Sequence, residues 1–437
     1  MSDCSSFEAV IEKIVTGGAG LARADGEIVF IAGVLPGERV RARVVRRAKG
    51  FLEAEAIEIL DPSPGRVAPP EGPPGSLAGA DFVHMSLAVQ HEVKREIVRD
   101  CFSRIGKIDI GPALEGPEPA GPPWGYRNKI GLHGDGSGGY GMHRPGTGDL
   151  VLLTRNFLLP DLFHEEALPL LRRLPPAPRA EVRFDGRGRF LLSLEGAKER
   201  GGRLRTRVSR ASAGESSPPG LAGVMVDGRA VRGEDHLDIA VGGRLYRVHG
   251  RSFFQVNLAG AETLVRLVAG WMGEAGLTPD SPGLGLLDLY GGGGLFAVAF
   301  ADRFERTVLV ESEGHAIRDA RENARRAGPA GSRVEVIRST VESALRRWTA
   351  GFPYGDPGRA VALVDPPRAG LAPPVLEALA SLGPARLFYV SCDPATLARD
   401  CRILSASGYR AARVRLIDMF PQTSHVETAT ELVHARD

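Results

Sequence analysis

The chain has 437 residues, 43% hydrophobic and 25% charged, with a formal net charge of +2. That length suits about two to four domains, and the near-neutral balance excludes a chain basic throughout, so a nucleic-acid partner must be read from local patches. Cys4, Cys101, Cys392 and Cys401 show no CxxC spacing, which argues against a zinc site or disulfide framework and for a reducing cytoplasm. Met1 to Ser6 lack the regions of a secretion signal, and Leu284–Ala301 contains Asp288 and the glycines 291–294, so no membrane partner is expected.

Residues 7–60 read as a small all-β barrel, with turn signals at Asp25-Gly26 and Pro36-Gly37. Val40, Ala42 and Val44 alternate with Arg41 and Arg43, and Arg39, Arg46, Arg47 and Lys49 extend the cationic face beside Phe51. A basic stripe next to an aromatic fits a nucleic-acid backbone and fits a solvated strand face equally well. The Pro/Gly-rich segment from Pro62 to Gly79 reads as a linker, and Met85 to Ile105 as a helix with Val89, Val93, Ile97 and Cys101 on its core side. Gly111–Pro123 reads as another irregular stretch. Trp124 to Gly250 reads as mainly β, including a strand at Arg203, Arg205 and Arg207 with one basic face.

From Arg251 onward, strands alternate with helices, the pattern of a parallel sheet. Leu286–Tyr290, the loop Gly291–Gly294 and a helix from Leu295 are followed by the strand Thr307–Glu311. A strand, a glycine loop, a helix and an acid ending the next strand form a nucleotide-cofactor arrangement. Tyr290 stands where a dinucleotide fingerprint would have its first glycine, which disfavours NAD and leaves an adenosyl ligand against Tyr290. The next strand ends at Asp365-Pro366-Pro367-Arg368. Amino-group methyltransferases commonly place an aromatic after the two prolines, and Arg368 argues against that chemistry.

Leu387–Val390 is a buried strand that reaches Cys392 and turns into a helix at Asp393-Pro394. A cysteine against a helix N-terminus is favoured as thiolate, hence as nucleophile, although a free cysteine is more often a core residue. Glu427 and Glu431 share one face of the last strand, and the pattern alone does not choose between them.

With these motifs in hand, the chain resembles the S-adenosylmethionine-dependent RNA uracil-5 methyltransferases. The resemblance rests on Ser252-Phe253-Phe254-Gln255-Val256-Asn257, Asp288-Leu289-Tyr290, Val310-Glu311, Val364 to Leu371, Val390 to Leu397 and Met419 to Thr428. Gly26 to Ile31 and Leu35-Pro36-Gly37-Glu38 are similar to the TRAM domain, an RNA-binding barrel. The resemblance implies an α/β fold: a TRAM-like barrel over 1–65, a β-rich substrate domain over 66–250 and a Rossmann-like methyltransferase domain over 251–437. It implies S-adenosyl-L-methionine as cofactor, held by Gln255, Tyr290, Glu311 and Asp365, with Cys392 as nucleophile and Glu427 as base. Phe253 and Phe254 are either base-stacking residues or a buried pair. The partner implied is a ribosomal or transfer RNA, and the enzyme is read as a cytoplasmic monomer.

Many members carry an iron–sulfur cluster. Here the segment Pro69 to Ala78 has no cysteine and Asn156 stands near the expected fourth ligand, so no cluster and no metal is expected. Asp393, Gly291, Leu295 and Thr340 also depart from common members and put cofactor affinity in question. The alternatives are a catalytically silent RNA-binding protein of this fold and an RNA cytosine-5 methyltransferase. The latter class uses a second cysteine, whereas Cys401 falls inside the helix after Cys392.

Overall fold

The structure is a computed structural model, and it describes residues 6–144, 148–196, 201–213, 217–280 and 283–435. Cys4 lies outside them. The chain begins with β1 (Ser6–Val10), β2 (Lys13–Ile14), β3 (Gly20–Ala24), β4 (Glu27–Ala32), β5 (Arg39–Ala48) and β6 (Phe51–Asp61), which form one six-stranded sheet in the order β1-β5-β6-β4-β3-β2. Val29, Ile31, Val40 and Ala42 face inward and are fully buried, as period-two alternation requires.

The outward arginines are not a free cationic stripe. Arg39 pairs with Asp61 and Glu8, Arg41 with Glu8 and Glu58, Arg43 with Glu55, Arg46 with Glu53, and Arg47 with Glu27. The antiparallel register sets β5 beside an acidic β6, so the charges answer each other across the strands. Of the two readings of this face, the structure favours a solvated, ion-paired surface.

Helix α1 (Leu87–Cys101) starts at the Ser86 cap and buries Val93, Ile97 and Cys101. β7 (Leu114–Pro119) follows, inside the stretch expected to be irregular. The central unit is a seven-stranded sheet, β10-β9-β8-β11-β12-β13-β14. Its strands are β8 (Lys129–Gly134), β9 (Tyr140–His143), β10 (Leu150–Leu152), β11 (Arg179–Phe184), β12 (Phe190–Glu195), β13 (Leu221–Val226) and β14 (Arg229–Gly233). Helix α2 (Leu168–Arg173) and helix α3 (Gly201–Ala213) belong to the same unit. The strand expected at Arg203–Arg210 is therefore helical. Leu204 and Val208, four residues apart, are buried, and that helical period outweighs the arginine alternation. A hairpin of β15 (His236–Val241) and β16 (Arg244–His249) leads to helix α4 (Leu258–Glu274), capped by Asn257.

The remaining elements are β17 (Gly283–Leu289), α5 (Leu295–Phe300), β18 (Phe304–Glu311), α6 (Gly314–Arg326), β19 (Val334–Arg338), α7 (Val341–Ala350), β20 (Ala360–Val364), α8 (Pro373–Leu382), β21 (Arg386–Ser391), α9 (Pro394–Ser405), β22 (Tyr409–Asp418) and β23 (Glu427–His434). The eight-stranded sheet runs β19-β18-β17-β20-β21-β23-β22-β7. The chain winds outward from β17 to β19, then returns to β20 on the other side. The strand order therefore reverses between β17 and β20, where open α/β sheets bind ligands at the carboxyl strand ends. One face of the sheet shares a core with α1 and the barrel. The other packs on α4, α5 and the β15–β16 hairpin.

Candidate active site

The parallel register sets Leu289 beside Val364, so Tyr290 and Asp365 leave adjacent strands at the reversal point. Tyr290 has φ +62°, a left-handed conformation that a bulky side chain adopts only when its surroundings impose it. The following turn is tight on its inner side: a Cβ at Gly291 would lie 2.5 Å from Leu309 Cγ. Its outer side is open, because a Cβ at Gly292 would meet nothing within 4 Å. Glu311 ends β18 and accepts hydrogen bonds from the backbone N–H of Gly292 at 3.1 Å, Ser312 at 2.6 Å and Glu313 at 2.7 Å. Gln255 Nε2 donates to Asp365 Oδ2 at 3.0 Å. Tyr290, Glu311 and Asp365 thus lie at neighbouring strand ends, and Gln255 reaches them through its bond to Asp365.

Asp288, two residues before Tyr290 on β17, is buried; its Oδ2 accepts from the Ala297 N–H at 2.8 Å, while its Oδ1 has no hydrogen-bond partner among the described residues. Burial pushes the Asp288 carboxyl up to about 8, with Asp365 and Glu311 adding to the shift. Burial likewise pushes Asp365 up to about 7, against the Gln255 hydrogen bond. Asp288, a buried acid with an unpartnered oxygen, and the half-buried Asp365 near it are the complement of a cationic ligand. S-adenosyl-L-methionine carries an ammonium and a sulfonium, and these residues fit it.

Cys392 follows β21 and is half-buried. Ser391 pairs with Thr428 across the antiparallel β21–β23 ladder, which sets Glu427 beside Cys392. Glu427 is 2% exposed, and burial together with the Asp365 charge raises its pKa well above the ordinary carboxylate value. Glu431, its rival in sequence, is ion-paired with Arg386 at 2.7 Å and Arg413 at 3.2 Å. No such pair reaches Glu427 among the described residues. The structure separates the two acids that the strand pattern left equal.

The thiol does not find the favourable helix end that its position suggested. The Asp393 side chain caps α9 by accepting from Ala395 N at 3.0 Å and Thr396 N at 2.9 Å, so those N–H groups are occupied by a carboxylate. Burial first, then the Glu427 charge, push the Cys392 thiol up to about 11, and Arg368 opposes them. Arg368 is exposed and its Nη2 lies 3.1 Å from His425 Nδ1. Its field lowers the pKa values of both Cys392 and Glu427. The sequence placed Arg368 at a strand end, but its reach to both the thiol and the carboxyl appears only in the fold. Its loop is fixed from α9: Thr396 Oγ1 donates to Arg368 O, and Asp400 accepts from Leu371 N and from Tyr389 OH.

The two phenylalanines separate. Phe254 is 4% exposed and packs 6.0 Å from Tyr246, whereas Phe253 is 63% exposed. In the segment Pro69 to Ala78, Asn156 Nδ2 donates to the carbonyls of Gly75 at 3.2 Å and Ala78 at 2.9 Å. Among the described residues no group of three His, Cys, Asp or Glu side chains is placed to hold a metal ion.

A glycine turn, a thiol and a buried carboxyl at the strand ends where the sheet order reverses are the arrangement of a Rossmann-like methyltransferase. The sequence profile of the tRNA (uracil-5-)-methyltransferase family matches residues 225–435, and that of the TRAM domain matches residues 5–57. A protein of Streptomyces coelicolor, named as an uncharacterized RNA methyltransferase, is 34% identical over 96% of this chain and 91% of its own. The 23S rRNA (uracil(1939)-C(5))-methyltransferase of Alkalilimnicola ehrlichii is 31% identical over 97% of this chain and 95% of its own. The crystal structure of Pyrococcus abyssi tRNA (uracil-54, C5)-methyltransferase, solved with S-adenosyl-L-homocysteine, superimposes with a TM-score of 0.72. It covers 98% of this chain and all of that one at 22% identity, which shows the shared fold. The chain belongs to the RNA uracil-5 methyltransferase family, and it is an S-adenosyl-L-methionine-dependent enzyme of that class. No helix among the described residues is long and apolar enough to cross a membrane.

Proposed function

We propose that this enzyme methylates carbon 5 of a uridine in ribosomal or transfer RNA through a covalent adduct on Cys392, with Glu427 as the base. The observation that carries the reading is the pairing of Ser391 with Thr428, which sets a thiol and a buried carboxyl, unpaired among the described residues, side by side near the strand reversal. Carbon 5 of uracil is a weak nucleophile until a group adds to carbon 6. The Cys392 thiolate adds there, and the electron pair of the 5,6 double bond moves onto carbon 5 and the oxygen of carbon 4. The cofactor, which Gln255, Tyr290, Glu311 and Asp365 would hold, would supply an electrophilic methyl group; carbon 5 bonds to that carbon as its bond to sulfur breaks and S-adenosyl-L-homocysteine leaves. Glu427, as carboxylate, then takes the proton from carbon 5. The pair left behind re-forms the double bond and expels the Cys392 thiolate.

Arg368 is the cation that favours the ionised form of both groups, and Phe253 offers an exposed ring on which a base can stack once it leaves the RNA fold. We assign no iron–sulfur cluster, because the segment that would supply thiolates has none. The free thiols Cys101, Cys392 and Cys401 fit a reducing cytoplasm, where the enzyme acts as a monomer.

The test is mass spectrometry of RNA treated with the purified protein and labelled cofactor. Methylated uridine is expected. Cys392→Ala is expected to abolish it, together with the covalent complex formed on 5-fluorouridine RNA. Methylcytidine, or a complex that survives Cys392→Ala, would sink the assignment.

A further inference from the structure

The loop between β22 and β23 carries His425 and leads into Glu427, and its backbone is held from outside. Lys94 of α1 is fully buried; its Nζ donates to Asp418 Oδ1 at 2.7 Å and to Phe420 O at 2.9 Å. His91, one turn earlier on the same face, reaches Asp418 Oδ2 at 2.9 Å. Gln90, also fully buried, donates from Nε2 to Gln422 Oε1 at 3.0 Å and accepts from Gln422 N at 2.9 Å. Gln422 has φ +66°, a left-handed turn that a non-glycine residue keeps only under such constraint. Tyr126 OH donates to Pro421 O at 3.1 Å, and Asn257 Nδ2 to Met419 O at 2.9 Å.

A buried lysine–carboxylate pair is costly to assemble and is weak evidence for stability alone. Its geometry here has another use. Gln90 and Lys94 stand one helical turn apart, 332 and 324 positions from Gln422 and Asp418. Lys94 grips the last residue of β22 and the second residue after it, and Gln90 grips the fourth. No hydrogen bond or ion pair fixes the Glu427 carboxyl among the described residues, so its place is set by the backbone that enters β23.

We propose that Gln90 and Lys94 are positioning residues, which fix the 419–425 loop so that the Glu427 carboxyl meets the proton on carbon 5. The inference rests on the reading of Cys392 as nucleophile and Glu427 as base. It predicts a lesion confined to the last step. Displacing a base by about 1 Å costs on the order of 100-fold in rate, while addition of Cys392, carried by β21 and α9, is untouched.

The experiment uses Gln90→Met, close in shape but unable to make the two bonds to Gln422, and Lys94→Met. Each is incubated with cofactor and either uridine or 5-fluorouridine RNA, and protein–RNA complexes that survive denaturant are measured. The expected result is wild-type complex formation on 5-fluorouridine RNA, with turnover on uridine RNA down about 100-fold and a methylated complex accumulating there. The 5-fluorouridine complex also reports that the variant is folded. Turnover within twofold of wild type in both variants overturns the proposal. So does a parallel loss of both complexes with a lowered Tm, which is a purely structural role. If wild-type protein itself forms no 5-fluorouridine complex, the nucleophile assignment fails and this inference with it.

Discussion

Gln255 and Asp365, 110 positions apart in the chain, meet through a single 3.0 Å hydrogen bond at the reversal of the sheet. Among the described residues that amide is the one hydrogen-bond donor to Asp365, and it does not offset the desolvation of a carboxylate held beside Asp288. The folded protein therefore keeps protons on Asp365 to about pH 7 and on Asp288 to about pH 8. In the unfolded chain both leave near pH 3.9. Between those limits the folded state binds more protons, so these two groups make stability fall as pH rises from about 4 to about 8. Asp288→Asn keeps an acceptor for Ala297 N and removes one such group. Its Tm is expected to gain on wild type by a few degrees across that window in the absence of cofactor, and its cofactor affinity to drop. Thermal unfolding at matched ionic strength checks this, and a Tm difference independent of pH would refute it.

The thiol titration gives a second test. Cys392 is held as thiol to about pH 11 before substrate arrives. Alkylation by iodoacetamide, followed on the Cys392 peptide by mass spectrometry, is expected to be slow at pH 7 and to climb through pH 10. Glu427→Gln removes the nearest repelling charge and is expected to shift that rise to lower pH. Arg368→Ala, which removes the opposing cation, is expected to shift it to higher pH. Rapid alkylation of wild type at pH 7 would contradict this environment.

The Cys392 strand and the turn into its helix were legible, because a β-branched and aromatic run followed by Asp-Pro is a local signal. So was the glycine turn after Tyr290. The state of the thiol was not: position alone gave it a helix end, while the Asp393 side chain that occupies that end is a matter of rotamer. The strand pattern alone did not separate Glu427 from Glu431, and only the motif resemblance chose between them; that Glu431 is tied to Arg386 and Arg413 is visible only in the fold. β7 escaped notice because Gly111–Pro123 has the composition of a loop, and its partner β22 lies some three hundred residues away. The arginines at 203–210 alternate like a strand, and only the burial of Leu204 and Val208 shows the helical period.

The barrel arginines carry a further expectation. Each of Arg39, Arg41, Arg43, Arg46 and Arg47 already faces a carboxylate. Exposed pairs of this kind contribute roughly 0–1 kcal/mol each to stability. A residue that neutralises a phosphate adds close to one unit to the dependence of log affinity on log salt. Arg41→Ala and Arg43→Ala are therefore expected to leave that slope unchanged and RNA affinity within about threefold, a small change by the same counting. Filter binding across a salt series measures it, and loss of a full unit per arginine would restore the stripe as an RNA footprint.

Phe253 and Phe254 separate fold from function at adjacent positions. Phe254 lies in the core with Tyr246, and truncating such a ring costs about 3–5 kcal/mol through lost burial and the cavity left behind. Phe253 projects with 63% of its surface exposed, so Phe253→Ala is expected to change stability by less than about 0.5 kcal/mol. Stacking of a base on an aromatic side chain is worth about 1–3 kcal/mol. Phe253→Ala is therefore expected to raise KM for RNA by roughly 5- to 150-fold at unchanged Tm, the same energy expressed as affinity. Phe254→Ala is expected to lower Tm with a proportionate loss of active enzyme. Steady-state kinetics beside thermal unfolding distinguishes the two. An RNA KM unmoved by Phe253→Ala would show that this exposed ring does not meet the substrate.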